Sequence, residues 1–89
     1  MNYRVLLHPK AAEFLKRLNS SLREKIKSCL RELEKAPEEK GQRLKHSSFY
    51  RLRIGDYRAI YEIHPENREV VVLFIGHRRK VYDDFSRLL

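Results

Sequence analysis

The chain reads as an α+β fold. An N-terminal strand, an antiparallel helical hairpin, three further antiparallel strands completing a four-stranded sheet and a short C-terminal helix come in that order. Three observations predict it. Residues Phe49 to Tyr61 alternate apolar and polar on either side of Gly55-Asp56, the pattern of a β-hairpin with a tight two-residue turn. Leu22, Ile26, Cys29, Leu30 and Leu33 fall at i, i+4, i+7, i+8 and i+11, a single apolar stripe along a helix. Val70 to Ile75 is an unbroken apolar run, as expected of a central strand covered on both faces.

Tyr3 to Leu7 makes a short first strand. His8-Pro9 opens a helix, with Pro9 at a first-turn position where its missing N–H is no loss. Ala12, Phe14, Leu15 and Leu18 supply its apolar side, and Asn19-Ser20-Ser21 breaks it. Ser21 and Glu24 have capping-box spacing for a second helix, which Ala36-Pro37 ends. Two helices joined by a short turn pack antiparallel. Glu38 to Ser48 is polar and is expected to be a loop. His64 to Arg68 is a turn, Gly76 interrupts the last strand, and Val81, Phe85 and Leu88 at i, i+4 and i+7 form a final helix. The helix pair should cover one face of the sheet and leave the other open to solvent.

Composition narrows the function. A length of 89 residues suits a single domain, 1–89, with a modest core. No apolar run approaches the ~20 residues needed to span a bilayer. Met1-Asn2-Tyr3-Arg4 leads directly into a strand without a signal-peptide pattern. One cysteine, Cys29, excludes an internal disulfide and is most simply a core residue on the helix stripe. A cytoplasmic protein without membrane attachment is the expectation. His8, His46, His64 and His77 show no metal-ligand spacing. Gly41, Gly55 and Gly76 are too dispersed for a phosphate loop, and no Gly-x-Ser-x-Gly elbow is present. No metal and no cofactor are expected.

The charge is positive and segregated. Net charge is +8, which suits a nucleic acid or an acidic protein partner. Arg43, Lys45, Arg51, Arg53 and Arg58 fall in one segment with a single acid, Asp56, and Arg78, Arg79 and Lys80 form a second cluster. If Gly55 and Asp56 are the turn, Ile54 faces Tyr57 and Arg53 faces Arg58, with Arg51 on the same side of the sheet. Like charges opposite one another destabilise a sheet, so such crowding points to a polyanion. Fixed guanidinium groups suit metal-free phosphodiester cleavage. RNA cut through its own 2′-hydroxyl passes through a doubly charged phosphorane, which fixed cations stabilise more than the ground state. The plainer reading is that these arginines solvate an exposed sheet face or pair with Glu62. His77 is a candidate proton-transfer group at a strand end, or simply a hydrogen-bonding surface residue. Tyr82 could stack on an unpaired base, or anchor the last helix through its ring. Tyr57 and Tyr61 share one hairpin face and are expected to pack beneath the sheet.

Three segments carry a family resemblance: Arg43-Leu44-Lys45, Tyr50 to Tyr61 and Val72 to Tyr82. With these the chain resembles the RelE/ParE superfamily of toxins from type II toxin–antitoxin pairs, over nearly its whole length. The RelE-like branch is the favoured reading. Its members have a microbial-RNase-like fold, enter the ribosomal A site and cut mRNA, leaving a cyclic phosphate and a 5′-hydroxyl. ParE-like members share the fold and poison DNA gyrase.

The RelE resemblance implies that Arg58 stabilises the transition-state phosphate, that Arg78 assists the leaving group or binds phosphate, and that Tyr82 orients or stacks the substrate. Arg53 and His77 complete the candidate catalytic set. Arg43, Lys45, Arg51 and Arg79 are candidate RNA-phosphate contacts. Arg51 and Arg53 stand where well-studied relatives carry lysines, and Lys45 where they carry an arginine. An arginine keeps its proton under ordinary conditions and clamps charge rather than accepting protons. The general base is then open among Lys45, His46 and His77, or the ribosome supplies part of the geometry. The resemblance also implies partners: a cognate acidic, RelB-like antitoxin in a hetero-oligomer, together with ribosome and mRNA. Some antitoxins displace the C-terminal helix, which would here expose Val81, Phe85, Leu88 and Leu89. Two other readings stand beside the nuclease, a ParE-like gyrase inhibitor and an inactive antitoxin-binding relative.

Overall fold

The structure, a computed structural model, describes residues 2–87. β1 (Arg4–Leu7) passes almost directly into α1 (Pro9–Lys16). His8 caps that helix, its extended backbone letting Nδ1 accept from the Lys10 amide at 3.2 Å, and Pro9 fills the first turn. α2 (Ser20–Arg31) is capped by Asn19, whose Oδ1 accepts from the Leu22 amide at 2.9 Å. The cap thus lies two residues before the capping box expected at Ser21, which already sits inside the first turn. A 3₁₀ turn, Glu32–Glu34, finishes this helix ahead of Ala36-Pro37.

α3 (Pro37–Lys40) and β2 (Gln42–Arg43) occupy the segment expected to be a loop. β3 (Phe49–Ile54), β4 (Tyr57–His64) and β5 (Glu69–His77) come next, and α4 (Val81–Ser86) closes the order. Strands lie in the order β1-β5-β4-β3-β2. The sheet therefore has five strands among the described residues, not four. The fifth is β2, and two residues are too few to show a period-two pattern. β1 runs parallel to β5, and the other pairs are antiparallel. The hairpin register is as expected: Ile54 pairs with Tyr57 and Arg53 with Arg58. Gly55, at φ +60°, supplies the left-handed turn residue.

A bulge in β5 decides which residues share a face. Ile60 pairs with Phe74 but Tyr61 pairs with Val72, so Leu73 is an extra residue. Without it Phe74 would join Val70 and Val72 in facing the helices. With it Phe74 turns to the opposite face, and Ile75 joins Val70, Val72, Ala11, Leu15 and Ile26 in the principal core. A second, smaller core lies on the far face, where Ile60 and Phe74 pack against Val81 and Phe85 of α4. The Phe85 ring meets Phe49 edge-on at 4.9 Å and Phe74 at 6.1 Å. The face expected to be open is therefore half covered, and only its hairpin-turn end carries arginines. Leu88 and Leu89, expected on the same apolar side, lie outside the described residues. No helix among the described residues is long and apolar enough to cross a membrane.

Tyr61 ties the connecting segment to the sheet. It is wholly buried, stacks on Tyr50 at 5.4 Å, and its hydroxyl donates to the Pro37 carbonyl at 2.6 Å. Gly41 lies directly against that phenol. A β-carbon there would press on Tyr61 Oη and come within 2.7 Å of the Arg51 carbonyl oxygen. Burial pushes the Tyr61 phenol up to about 12, and a hydrogen bond from the Gly41 backbone offsets part of that shift.

Two measurements test this clasp. Gly41→Ala should destabilise the protein by about 1–3 kcal/mol, the usual cost of overpacking, read as a lower urea midpoint at unchanged slope. An unchanged midpoint would show that β2 yields easily. The second concerns alkaline pH. The unfolded phenol ionises from its ordinary 10.0, the folded one only near about 12. Below pH 10 both states keep the proton and stability is complete. Between pH 10 and about 12 the unfolded chain deprotonates first, so this phenol should withdraw roughly 3 kcal/mol of stability. Tyr61→Phe should remove that part of the alkaline loss in denaturation curves taken across the window.

Candidate functional site

At the turn end of the far face, Arg51, Arg53, Arg58, Arg78, Arg79 and Tyr82 line an open cleft of about 380 Å³. Two strands, a turn and a helix supply them. Arg51 and Arg53 project from β3, and Arg58 faces Arg53 from β4. Arg78 and Arg79 lie in the turn after β5, and Tyr82 in the first turn of α4. Gly76 stands opposite Arg58 in the ladder, and the Val81 β-carbon lies 3.3 Å from where a Gly76 β-carbon would be, so α4 starts close against the strand.

Neutral acceptors relieve the crowding of like charges. Arg58 Nη1 donates to the Gly55 carbonyl at 2.7 Å and the Tyr57 carbonyl at 2.8 Å, which folds its guanidinium against the hairpin turn. Arg51 Nη2 donates to Gln42 Oε1 at 2.5 Å, and Nη1 to the Tyr82 hydroxyl at 3.2 Å. Asp56 holds the Arg78 turn twice. Its carbonyl accepts from the Arg78 amide at 2.7 Å, and its carboxylate lies 3.9 Å from Arg78 Nε. That ion pair is largely exposed, so it contributes little energy and acts chiefly as a tether.

Of the residues expected in the site, the cleft brings together Arg51, Arg53, Arg58, Arg78, Arg79 and Tyr82. Three lie elsewhere. Arg43 pairs with Tyr50, so it projects on the helix side, where its Nε donates to the Ser47 carbonyl at 2.8 Å. Lys45 is exposed in a turn whose next residue, His46, has a φ of 59°. That turn lies beyond the start of β3, about 13 Å of strand from Arg53. His77 pairs with Tyr57 on the helix side, its ring edge-on at 5.7 Å, and its Nδ1 accepts from the Arg79 amide at 3.2 Å. The β5 bulge sends it there. Without the extra residue, His77 would share the arginines' face.

Tyr82 takes the anchoring place expected for it. Its ring packs against the second core while its hydroxyl reaches the cleft. Gln42 was not expected here. A glutamine in a polar segment carries no signal of its own, and its position depends on the short β2 ladder. Among the described residues no group of three histidine, cysteine or acidic side chains is placed to hold a metal ion.

A family profile described as the ParE toxin of the type II toxin–antitoxin system parDE matches residues 5–82. No curated protein sequence matches the chain. Among solved structures, a double arginine-to-alanine mutant of the E. coli toxin RelE in the free state superposes with a TM-score of 0.78 at 27% identity, covering 100% of both chains. A chain of the RelBE2 toxin–antitoxin complex of Mycobacterium tuberculosis gives 0.78 at 26% identity, covering 88% of this chain and 93% of that one. The archaeal RelE–RelB complex of Pyrococcus horikoshii gives 0.75 at 27%, covering 91% and 100%. The fold and the matching profile thus define a toxin of the RelE/ParE superfamily. The chain belongs to its ParE toxin family, described as the toxin of the type II toxin–antitoxin system parDE.

A cleft of this make-up should bind inorganic phosphate. A ligand at ten times its Kd stabilises the folded state by about 1.4 kcal/mol. Phosphate should therefore raise Tm above a chloride control of equal ionic strength, and Arg53→Ala should abolish the difference. Equal shifts in wild type and variant would place the anion elsewhere.

Proposed function

We propose that this toxin is a ribosome-dependent endoribonuclease that cuts mRNA in the A site through the substrate's own 2′-hydroxyl. One observation carries the reading: arginines paired across the hairpin, with those of the turn after β5, line one open cleft with a tyrosine at its rim. The 2′-oxygen attacks the adjacent phosphorus, the bond to the 5′-oxygen breaks, and a 2′,3′-cyclic phosphate and a 5′-hydroxyl result. Negative charge on the phosphoryl oxygens rises in between. Arg53 and Arg58 meet that charge from either side of the hairpin, and Arg78 meets the departing 5′-oxygen. Their charges are fixed before the reaction starts, so no reorganisation is required at the barrier. The lining side chains are arginines and one tyrosine, which supports electrostatic rather than strong general-base catalysis. The 2′-proton passes to water or to a ribosomal group as the attack begins, and water or that same group returns a proton to the departing 5′-oxygen; slow cleavage of free RNA fits that arrangement. The chemistry requires no metal, and its setting is the cytoplasm.

The toxin's inhibitor in this reading is an acidic antitoxin resembling RelB, bound in a hetero-oligomer. Support comes from the RelE–RelB complexes it superposes on and from its net charge of +8. Displacement of α4 by such a partner would uncover Val81 and Phe85 and carry Tyr82 out of the cleft.

A second reading is favoured by the ParE description of the matching family. A gyrase inhibitor needs no proton-transfer group, and an all-arginine cluster suits binding alone.

Programmed ribosomes carrying a defined mRNA separate the two. EDTA-treated toxin should cut within the A-site codon, mapped by primer extension. Arg58→Ala should slow the cut by about 100- to 1000-fold, the usual cost of losing one fixed stabilising group, with its circular dichroism intact. Uncut mRNA together with inhibited DNA supercoiling would overturn the nuclease in favour of gyrase.

A further inference from the structure

We infer that Arg51 is a positioning residue, braced by Gln42, whose guanidinium fixes the Tyr82 hydroxyl at the rim of the cleft. Its effect on cleavage rests on the nuclease reading above, but the brace itself can be tested without it. The geometry distinguishes Arg51 from its neighbours. Gln42 stands opposite it in the β2–β3 ladder and accepts from Nη2 at 2.5 Å. Tyr82 Oη lies 3.2 Å from Nη1. Arg51 Nε is shut off from solvent and has no hydrogen-bond partner among the described residues. A phosphate is gripped bidentately by parallel N–H groups along one edge of the guanidinium fork. Here the Nε edge is closed, and each Nη already spends one hydrogen on the protein. Arg51 is thus turned inward, spanning from a strand to a helix, while Arg58 lies folded against the hairpin turn.

The brace is anchored behind Gln42. Gly41 allows β2 to lie against Tyr61 and the Arg51 carbonyl, and the Tyr61 hydroxyl fastens the segment to Pro37. Gln42 therefore offers its carboxamide from a pinned strand rather than a free loop. A planar guanidinium reaches both partners at once, which a single ammonium at the end of a lysine stem does not. An arginine at this position thus serves as a strut where a lysine would be a candidate proton acceptor.

The test uses the full chain with Gln42→Leu, Gln42→Glu and Tyr82→Phe. Gln42→Leu should lower kcat for A-site cleavage about 3- to 10-fold, the span of one ordinary solvent-accessible hydrogen bond, with KM unchanged. Gln42→Glu keeps the acceptor and should retain the wild-type rate. In the Tyr82→Phe background Gln42→Leu should cost nothing further, because the strut then holds no hydroxyl. A wild-type rate for Gln42→Leu, an additive loss in the double variant, or an equal loss in Gln42→Glu would each overturn the inference. NMR of the arginine side chains reads the brace independently of catalysis. Hindered rotation should give resolved Nη hydrogens for Arg51 that collapse in Gln42→Leu. A freely rotating Arg51 in the wild type would overturn the brace. If wild-type toxin leaves mRNA intact, the nuclease reading alone fails, and the NMR result still decides the strut.

Discussion

Tyr61 has no exposed surface, and its hydroxyl hydrogen is committed to a single carbonyl, that of Pro37. A buried phenol without a partner would cost about 1–3 kcal/mol. The connecting segment must therefore come down onto the sheet, and a residue without a side chain must pass over the ring. Gly41 meets that demand, and the two residues after it are held in register as β2. The edge of the sheet, the carboxamide of Gln42 and the attitude of Arg51 all descend from one hydrogen bond on the opposite face. A small protein gains rigidity in this way without a disulfide or a large core.

The second organising constraint is the extra residue in β5. Strand alternation would carry Phe74 into the helix-covered core and His77 to the arginines. One inserted residue reverses both. It provides Phe74 as the floor on which α4 rests, and it removes the imidazole from the cleft. The site is consequently almost pure positive charge with one tyrosine. Its chemistry is set by what the bulge excludes as much as by what the hairpin presents.

Legibility depended on how local each signal was. The Gly55-Asp56 turn determines its own register, so the pairing of Arg53 with Arg58 could be read directly from the chain. The α2 stripe and the Val70–Ile75 run were equally plain, and Tyr57 and Tyr61 lie on the helix side as their spacing implied. The misplacements share a cause. β2 exists because Tyr61, far along the chain, clasps its neighbour. The bulge arises from a mismatch between two strands that neither strand reveals alone. Asn19 displaced Ser21 as cap, since either residue suits the role chemically and the sequence alone does not choose between them. Arg43 and His77 lie outside the cleft for that same reason, since a residue's face is known only once its partner strand is known.

The pairing of the first strand with the last has a consequence in time. Arg4 finds its ladder partner, Glu69, 65 positions later, and Leu7 finds Val72. Closing so long a span precedes any reward from the contacts it makes, which slows folding. During synthesis β1 waits unpaired until β5 has been made. Arg78 and Tyr82 arrive later still. The arginine cleft thus waits on residues that follow β5, and a chain still emerging from the ribosome carries the arginine hairpin without the residues that complete that cleft.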